Sequence, residues 1–321
     1  QTAGLALAAD LADEDKQPRV VALLYVMLLA GMLLSALIFA WVLADYSPMQ
    51  LIRVVQGAAV ATMVFNAVAL WKQEPRNPNR RSAGVQPAFR PAWRSFVAKP
   101  GARRFLWATA LGTAAFNMQD ILLEPYGAEV LRLPVAHTTA LTAFTAMGML
   151  IAFAWAAREL ARGRQAIRLA ATGAVIGVFA FAAVIFAGAL GSADLFRAGA
   201  SLIGLGGGLF AVGTLTTAMN LEQGTYRGLA LGAWGAVQAT AAGVAIAAGG
   251  ALRDLLQEPM LSGAWGEALQ KTDMPYSFVY HLEIALLFAT LVALGPVVRL
   301  LRQSADRPAR ATGFGLAQLP G

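Results

Sequence analysis

The sequence predicts an all-α membrane protein, a bundle of about eight spanning helices, and three observations carry that prediction. Of its 321 residues 58% are hydrophobic and 13% are charged, against about 25% charged in an ordinary soluble domain. The apolar residues gather in runs of about 20, the length that crosses a hydrocarbon core of about 30 Å as a helix. Those runs are rich in Ala, Gly, Leu, Val and Phe and lack the period-2 alternation of a barrel strand, so helix is the spanning structure that fits them.

The chain opens with QTAGLALAADLADEDKQPR, whose apolar stretch of about nine residues is too short to span. It reads as the end of a preceding helix. Spans are expected at 20–44 and 51–71, then a connection at 72–104 that is rich in Pro and Arg and has no apolar period. Six further spans follow at 105–125, 135–157, 167–190, 197–219, 228–250 and 277–299, with a tail at 300–321 that holds Pro and Gly without periodicity.

Lys and Arg orient these elements, because basic residues in short connections stay on the cytoplasmic side. Taking alternate connections, twenty of the 25 basic residues fall on one side, nine of them in the 72–104 linker. Arg53, Arg132, Arg197, Arg253 and Lys271 fall on the other. Both ends and the basic linker are therefore expected in the cytoplasm. The segment around Glu124 and the 251–276 loop face the opposite side.

Two spans, a long basic linker and six spans resemble the end of one half and the whole second half of a major-facilitator-type transporter, whose halves are related repeats. On that resemblance residues 1–71 close an N-terminal six-helix half and residues 105–299 form a complete C-terminal half. The chain is then a fragment with four helices before residue 1; a self-contained eight-helix protein is the alternative.

Several chemistries are excluded or left without support. With no Cys and two His, the chain has no disulfide, thiolate nucleophile or cysteine zinc site, and little for a His-based metal site. No HExxH or Ser/His/Asp order appears, so no catalytic residue is assigned. The net charge of +7 belongs to topology and does not imply a nucleic-acid partner. GLGGGLFAVG at 204–213 and GAWGAVQATAAGVAIAAGG at 232–250 suit close helix approach; they lack the preceding strand and following GK[ST] of a phosphate loop.

The unusual stretch is FNMQDILLEPYGAEVL, residues 116–131. Ionisable residues in a span mark function by default. Asp120 is the sixteenth residue of its span, roughly 23 Å from the cytoplasmic end at about 1.5 Å per residue. Glu124 follows at i+4, Asn117 shares the Asp120 face and Gln119 points elsewhere on a continuous helix. Pro125, Tyr126 and Gly127 read as a broken helix end, with the Tyr suited to the membrane interface and the Gly free to turn. An interfacial helix end, with its carboxylates meeting water or Arg132, is the simpler reading. His137 and His281 fall near the same side. A neutral imidazole there could ligate the magnesium of a porphyrin-type pigment or simply bond water or backbone. Gln56, Asn66, Gln238 and Glu283 are further polar residues that could bond between helices or line a cavity.

The same stretch resembles the signature of the PucC family, the bacteriochlorophyll delivery group of the major facilitator superfamily, which includes LhaA-type light-harvesting assembly factors. QTAGLALAADLA, RVVALLYVMLLAGML, GAWGAVQATAAGVAIAAGGALRD and YSFVYHLEIALLFATLVAL are also family-like, so the resemblance spans most of the chain. It implies a twelve-helix full-length protein of the bacterial inner, intracytoplasmic photosynthetic membrane. It further implies a non-enzymatic role: handling bacteriochlorophyll as a transient ligand, with no permanently bound cofactor, and helping assemble antenna complexes with their alpha and beta polypeptides. The motif residues to which the resemblance extends are Asn117, Gln119, Asp120, Glu124, Pro125, Tyr126 and Gly127. The two His are proposed from their chemistry alone. A proton-coupled transporter of a small solute, with Asp120 or Glu124 as proton site, is the competing function. A scaffold that packs antenna polypeptides without pigment is a third. For the basic linker, topology is the favoured role over binding anionic membrane lipids.

Overall fold

The structure, a computed structural model, describes residues 17–43, 47–71, 89–221 and 227–305. Regular structure among them is helical: α1 (Gln17–Val42), α2 (Pro48–Leu70), α3 (Phe89–Ala98), α4 (Pro100–Asn117), α5 (Leu123–Glu129), α6 (Val135–Ala161), α7 (Ala166–Leu190), α8 (Ala193–Leu221), α9 (Arg227–Leu261) and α10 (Met274–Ala305), with a 3-10 turn at Glu267–Leu269. Residues 1–16, most of the basic linker (72–88) and residues 306–321 of the expected tail lie outside the described residues.

Local sequence sets the breaks. Ser47 caps α2 through its hydroxyl, which accepts from Gln50 N at 3.1 Å, and Pro48 takes the first helical position, where its missing N–H costs nothing. Gly191 ends α7 in the left-handed region at φ 63°, and the Ser192 hydroxyl accepts from Leu195 N at 3.3 Å to start α8.

Helix α8 is the hub. It packs along α6 and α7 and also touches α4 and α9, while α10 packs on α4, α7 and α9 and α1 lies against α6. Glycines permit this closeness. A Cβ on Gly213 would come within 2.5 Å of Ala170 N in α7, and one on Gly208 within 2.8 Å of the Ala152 Cβ in α6. The small-residue role expected for 204–213 therefore holds on two faces of α8. Along α9 small alanines share it: Ala233 and Ala245 are buried and Gly249 and Gly250 are crowded, while Gly232 and Gly243 face open space.

Six described helices are long and apolar enough to cross a membrane: Pro48–Ala69, Ala140–Ala161, Ala166–Leu190, Ala193–Leu221, Gly228–Leu261 and Met274–Arg299. The 18-residue α4 includes Arg103, Arg104 and Asn117 and falls outside that set. The largest shifts of the expected boundaries are outward, at the ends of α9 and α10. Helix α9 runs to Leu261 rather than 250, and α10 to Ala305, taking the first residues of the expected tail. Charges end an apolar run without ending a helix. The expected span at 105–125 moves the other way, since its helix stops at Asn117. The linker was expected to lack periodic structure, yet its last part forms the amphipathic α3, with Ala92 and Phe96 buried.

Candidate functional site

The site grows from the break after α4. Asn117 Nδ2 donates back to Thr113 O at 2.7 Å, and residues 118–122 turn before α5 begins. The turn is held by Asp120 N donating to Asn117 O at 3.1 Å and by Leu122 N and Leu123 N donating to Gln119 O at 2.8 and 3.0 Å. Asp120 and Glu124 are therefore not an i, i+4 pair on one helix as expected. Gln119, expected to point elsewhere, is buried and donates through Nε2 to Asp120 Oδ1 at 2.8 Å and to Phe116 O at 3.3 Å. The turn fits because α9 has no side chains where it passes. A Cβ on Gly249 would run into the Met118 carbonyl, and one on Gly250 would stand 2.7 Å from Ile121 Cδ1.

Tyr126 fastens α5. It was expected at the membrane interface but is 0% exposed. Its ring meets Phe196 of α8 at 5.5 Å and Tyr276 and Tyr280 of α10 at 5.5 and 5.3 Å, edge-on to the last two, the offset geometry aromatic quadrupoles favour. Its hydroxyl donates to Val184 O of α7 at 3.3 Å. Burial, with the Asp273 charge next, pushes that hydroxyl up to about 12, so it stays a neutral donor. Gly127 is helical rather than a turn, and it is small because Phe196 and Thr138 would stand 3.0 and 3.1 Å from its Cβ. At the end of α5, Glu129 accepts from Tyr276 Oη at 2.7 Å and from Arg253 Nη2 of α9 at 2.8 Å. Helices α7, α8, α9 and α10 thus hold one short segment in place.

What the segment presents is a cavity of about 470 Å³. Asn117, Gln119, Asp120 and Glu124 line it, joined by Gln238 from α9 and Thr142 from α6. Glu124 Oε1 accepts from the Thr142 hydroxyl at 3.4 Å. The remaining wall is largely apolar, with Phe116, Met149, Phe153 and Phe210 among its residues. The site is amphipathic, and among the described residues none that lines it is basic. It can accept hydrogen bonds from a ligand through its carboxylates, donate them through amides and hydroxyls, and stack an apolar body on the aromatic wall. Thr142 was missed in the sequence; its signal, a hydroxyl two turns into an apolar helix, is too common to single out.

The other candidates do not join this cavity. Gln56 and Asn66 are exposed on α2. His137 is exposed at the start of α6, where Arg197 Nη2 stands 3.4 Å from its Nδ1. A guanidinium only donates, so Nδ1 accepts, the ring proton sits on Nε2 and neither nitrogen keeps a free lone pair. His281 is exposed on α10 with Nδ1 2.7 Å from Ser277 O. That contact places the proton on Nδ1 and leaves the Nε2 lone pair free. Glu283 is 0% exposed, and neither carboxyl oxygen has a hydrogen-bond partner. Asp120 and the Gln119 backbone, both of the turn, act on it electrostatically. It lies behind the cavity rather than in its lining.

Comparison with known proteins adds four findings. The family described as "PUCC protein" matches residues 1–301. A Rhodobacter capsulatus protein called "Uncharacterized protein in puhA-bchM intergenic region" is 50% identical over 100% of this chain and 68% of its own length. "Protein PucC" of Rhodovulum sulfidophilum is 52% identical over 80% of this chain and 58% of its own. The chain thus spans about three-fifths to two-thirds of the length of these relatives. Among solved structures, a bacterial homologue of the human lysosomal transporter Spinster, inward-facing and unoccupied, superposes with a TM-score of 0.59 at 14% identity, over 94% of this chain and 73% of that one. That likeness shows a fold of the major-facilitator type.

Proposed function

The chain belongs to the PUCC protein family and is a multi-pass bacterial membrane protein; from this we propose that it assists assembly of light-harvesting antenna complexes by handling bacteriochlorophyll. The observation that carries the reading is the convergence of the motif residues Asn117, Gln119, Asp120 and Glu124 on one amphipathic cavity. A chlorin offers a flat apolar body rimmed by carbonyl and ester oxygens. Phe116 and Phe210 suit the body, while the Gln238 amide and the Thr142 hydroxyl suit the rim. A volume of about 470 Å³ lies toward the small end of the roughly 300–1,000 Å³ of drug-sized pockets, so the cavity takes part of a pigment, not all of it. His281, which stands outside the cavity on an exposed side of α10, would offer the magnesium of a pigment its free Nε2 lone pair, with its ring oriented by Ser277 O. His137 lacks the free lone pair for that role. The antenna alpha and beta polypeptides are the receiving partners. The basic-residue bias supports an inner-membrane protein with the linker and both ends of this chain in the cytoplasm.

The test is to purify the full-length protein from a pigment-making host and record its absorption beside that of Asp120→Asn and His281→Ala. Pigment should travel with the wild type and fall several-fold in both variants. Colourless protein, together with normal antenna yield in a deletion strain, overturns the proposal.

One arrangement favours a second reading, proton-coupled transport of a small solute. Asp120 and Glu124 line the cavity with a third carboxyl, Glu283, buried behind them. Solute flux into liposomes that collapses in Asp120→Asn while no pigment is bound supports transport instead.

A further inference from the structure

Between Glu74 and Asp120 the sequence holds no acidic residue, while Arg90, Arg94, Lys99, Arg103 and Arg104 crowd into fifteen positions. The structure organises this charge. Ala92 and Phe96 anchor α3 in a small apolar cluster with Ala102 of α4 and Ala230 and Ala233 of α9. Beside that buried face runs an aromatic edge, where Phe89 is 67% exposed and stacks on Trp93 at 6.2 Å. Arg90 and Arg94, one turn apart, lie next to this edge and are exposed, as are Arg103 and Arg104 at the start of α4.

Topology explains how many basic residues a connection carries, but not why they are sorted on a folded helix beside an exposed Phe. Like charges at i, i+4 destabilise a helix, and among the described residues no carboxylate pairs with any of these four arginines. An anion from outside the chain would remove that repulsion. The aromatic edge says where the anion comes from, because an exposed Phe, backed by a half-buried Trp and set beside Arg, marks a helix lying at a bilayer surface. We propose that α3 and the first turns of α4 form a docking surface for anionic phospholipid headgroups, with Arg90, Arg94, Arg103 and Arg104 donating to the phosphate and Phe89 seated among the acyl chains. Guanidinium forks suit phosphate oxygens bidentately.

The test uses the full chain purified in detergent and supplied with equimolar phosphatidylglycerol and phosphatidylcholine of matched acyl chains, with bound lipid counted by native mass spectrometry. Wild type should retain phosphatidylglycerol preferentially. Arg90→Gln and Arg94→Gln should each weaken that retention about fivefold, while Arg168→Gln, an exposed arginine at the start of α7, should not. A salt titration of the wild type provides a second readout that needs no variant, and phosphatidylglycerol retention should fall as salt rises. Equal retention of the two lipids, equal loss in the Arg168→Gln control, or salt-independent retention overturns the proposal. So does displacement of phosphatidylglycerol by an acidic peptide such as polyglutamate at lower concentration than by the lipid itself, which would assign the patch to an acidic protein partner.

Discussion

The fastening of α5 can be tested by a paired substitution at Gly188 and Tyr126. A Cβ on Gly188 would collide with the Tyr126 hydroxyl oxygen and stand 3.0 Å from its Cζ and 3.4 Å from Val130 Cγ1. Gly188→Ala should therefore incur an overpacking cost of about 1–3 kcal/mol, offset by up to about 1 kcal/mol of helix propensity. Tyr126→Phe removes the hydroxyl and its 3.3 Å bond to Val184 O, costing about 0.5–1.5 kcal/mol. Combined, the second change deletes the atom that the first collides with. The double variant should then be more stable than the sum of the singles predicts by roughly 1–2 kcal/mol, well beyond the 0.3–0.5 kcal/mol scatter of independent sites. Unfolding followed by tryptophan fluorescence in mild detergent gives all four stabilities. Additivity within that scatter refutes the packing of Tyr126 against α7. Because Tyr126 also carries the segment that presents Glu124, Gly188→Ala should lower pigment retention and Tyr126→Phe should restore part of it.

Two further outcomes follow from the same packing. Glu283 is fully buried with both oxygens unpartnered, so Glu283→Met, of similar volume and without a polar group to desolvate, should stabilise the protein by about 1–3 kcal/mol in the same unfolding assay; a loss of stability would reveal a partner for the carboxyl. Arg253→Gln removes the bonds to Glu129 and Tyr276 at the end of α5. Since Glu129 is 43% exposed, the loss should stay below about 1 kcal/mol and shrink with added salt, and a salt-independent loss of several kcal/mol would contradict the exposed character of that bond.

The sequence alone determined that this chain is a helical membrane protein, where its polarity collects and what family it resembles. Hydropathy and the basic-residue bias act through the solvent each residue meets, and that information is local. It marked residues 116–131 as unusual, because Asn, Gln, Asp, Glu and Pro close to a span end have no other cheap explanation, but it put the broken helix end at Pro125–Gly127 where the structure turns at residues 118–122. It missed where α9 and α10 stop, because a helix outlasts the apolar run that marks the membrane. Only the tertiary structure decided which polar residues share a cavity. Gln119 turns back to Asp120, Gln238 arrives from 118 positions further along the chain, and His137 and His281 go elsewhere, each according to how neighbouring helices pack. The same holds for Tyr126, whose amphipathic chemistry suits an interface equally well. What buries it is room left by Gly188 and rings offered by Phe196, Tyr276 and Tyr280, contacts between residues far apart in sequence that no local pattern encodes.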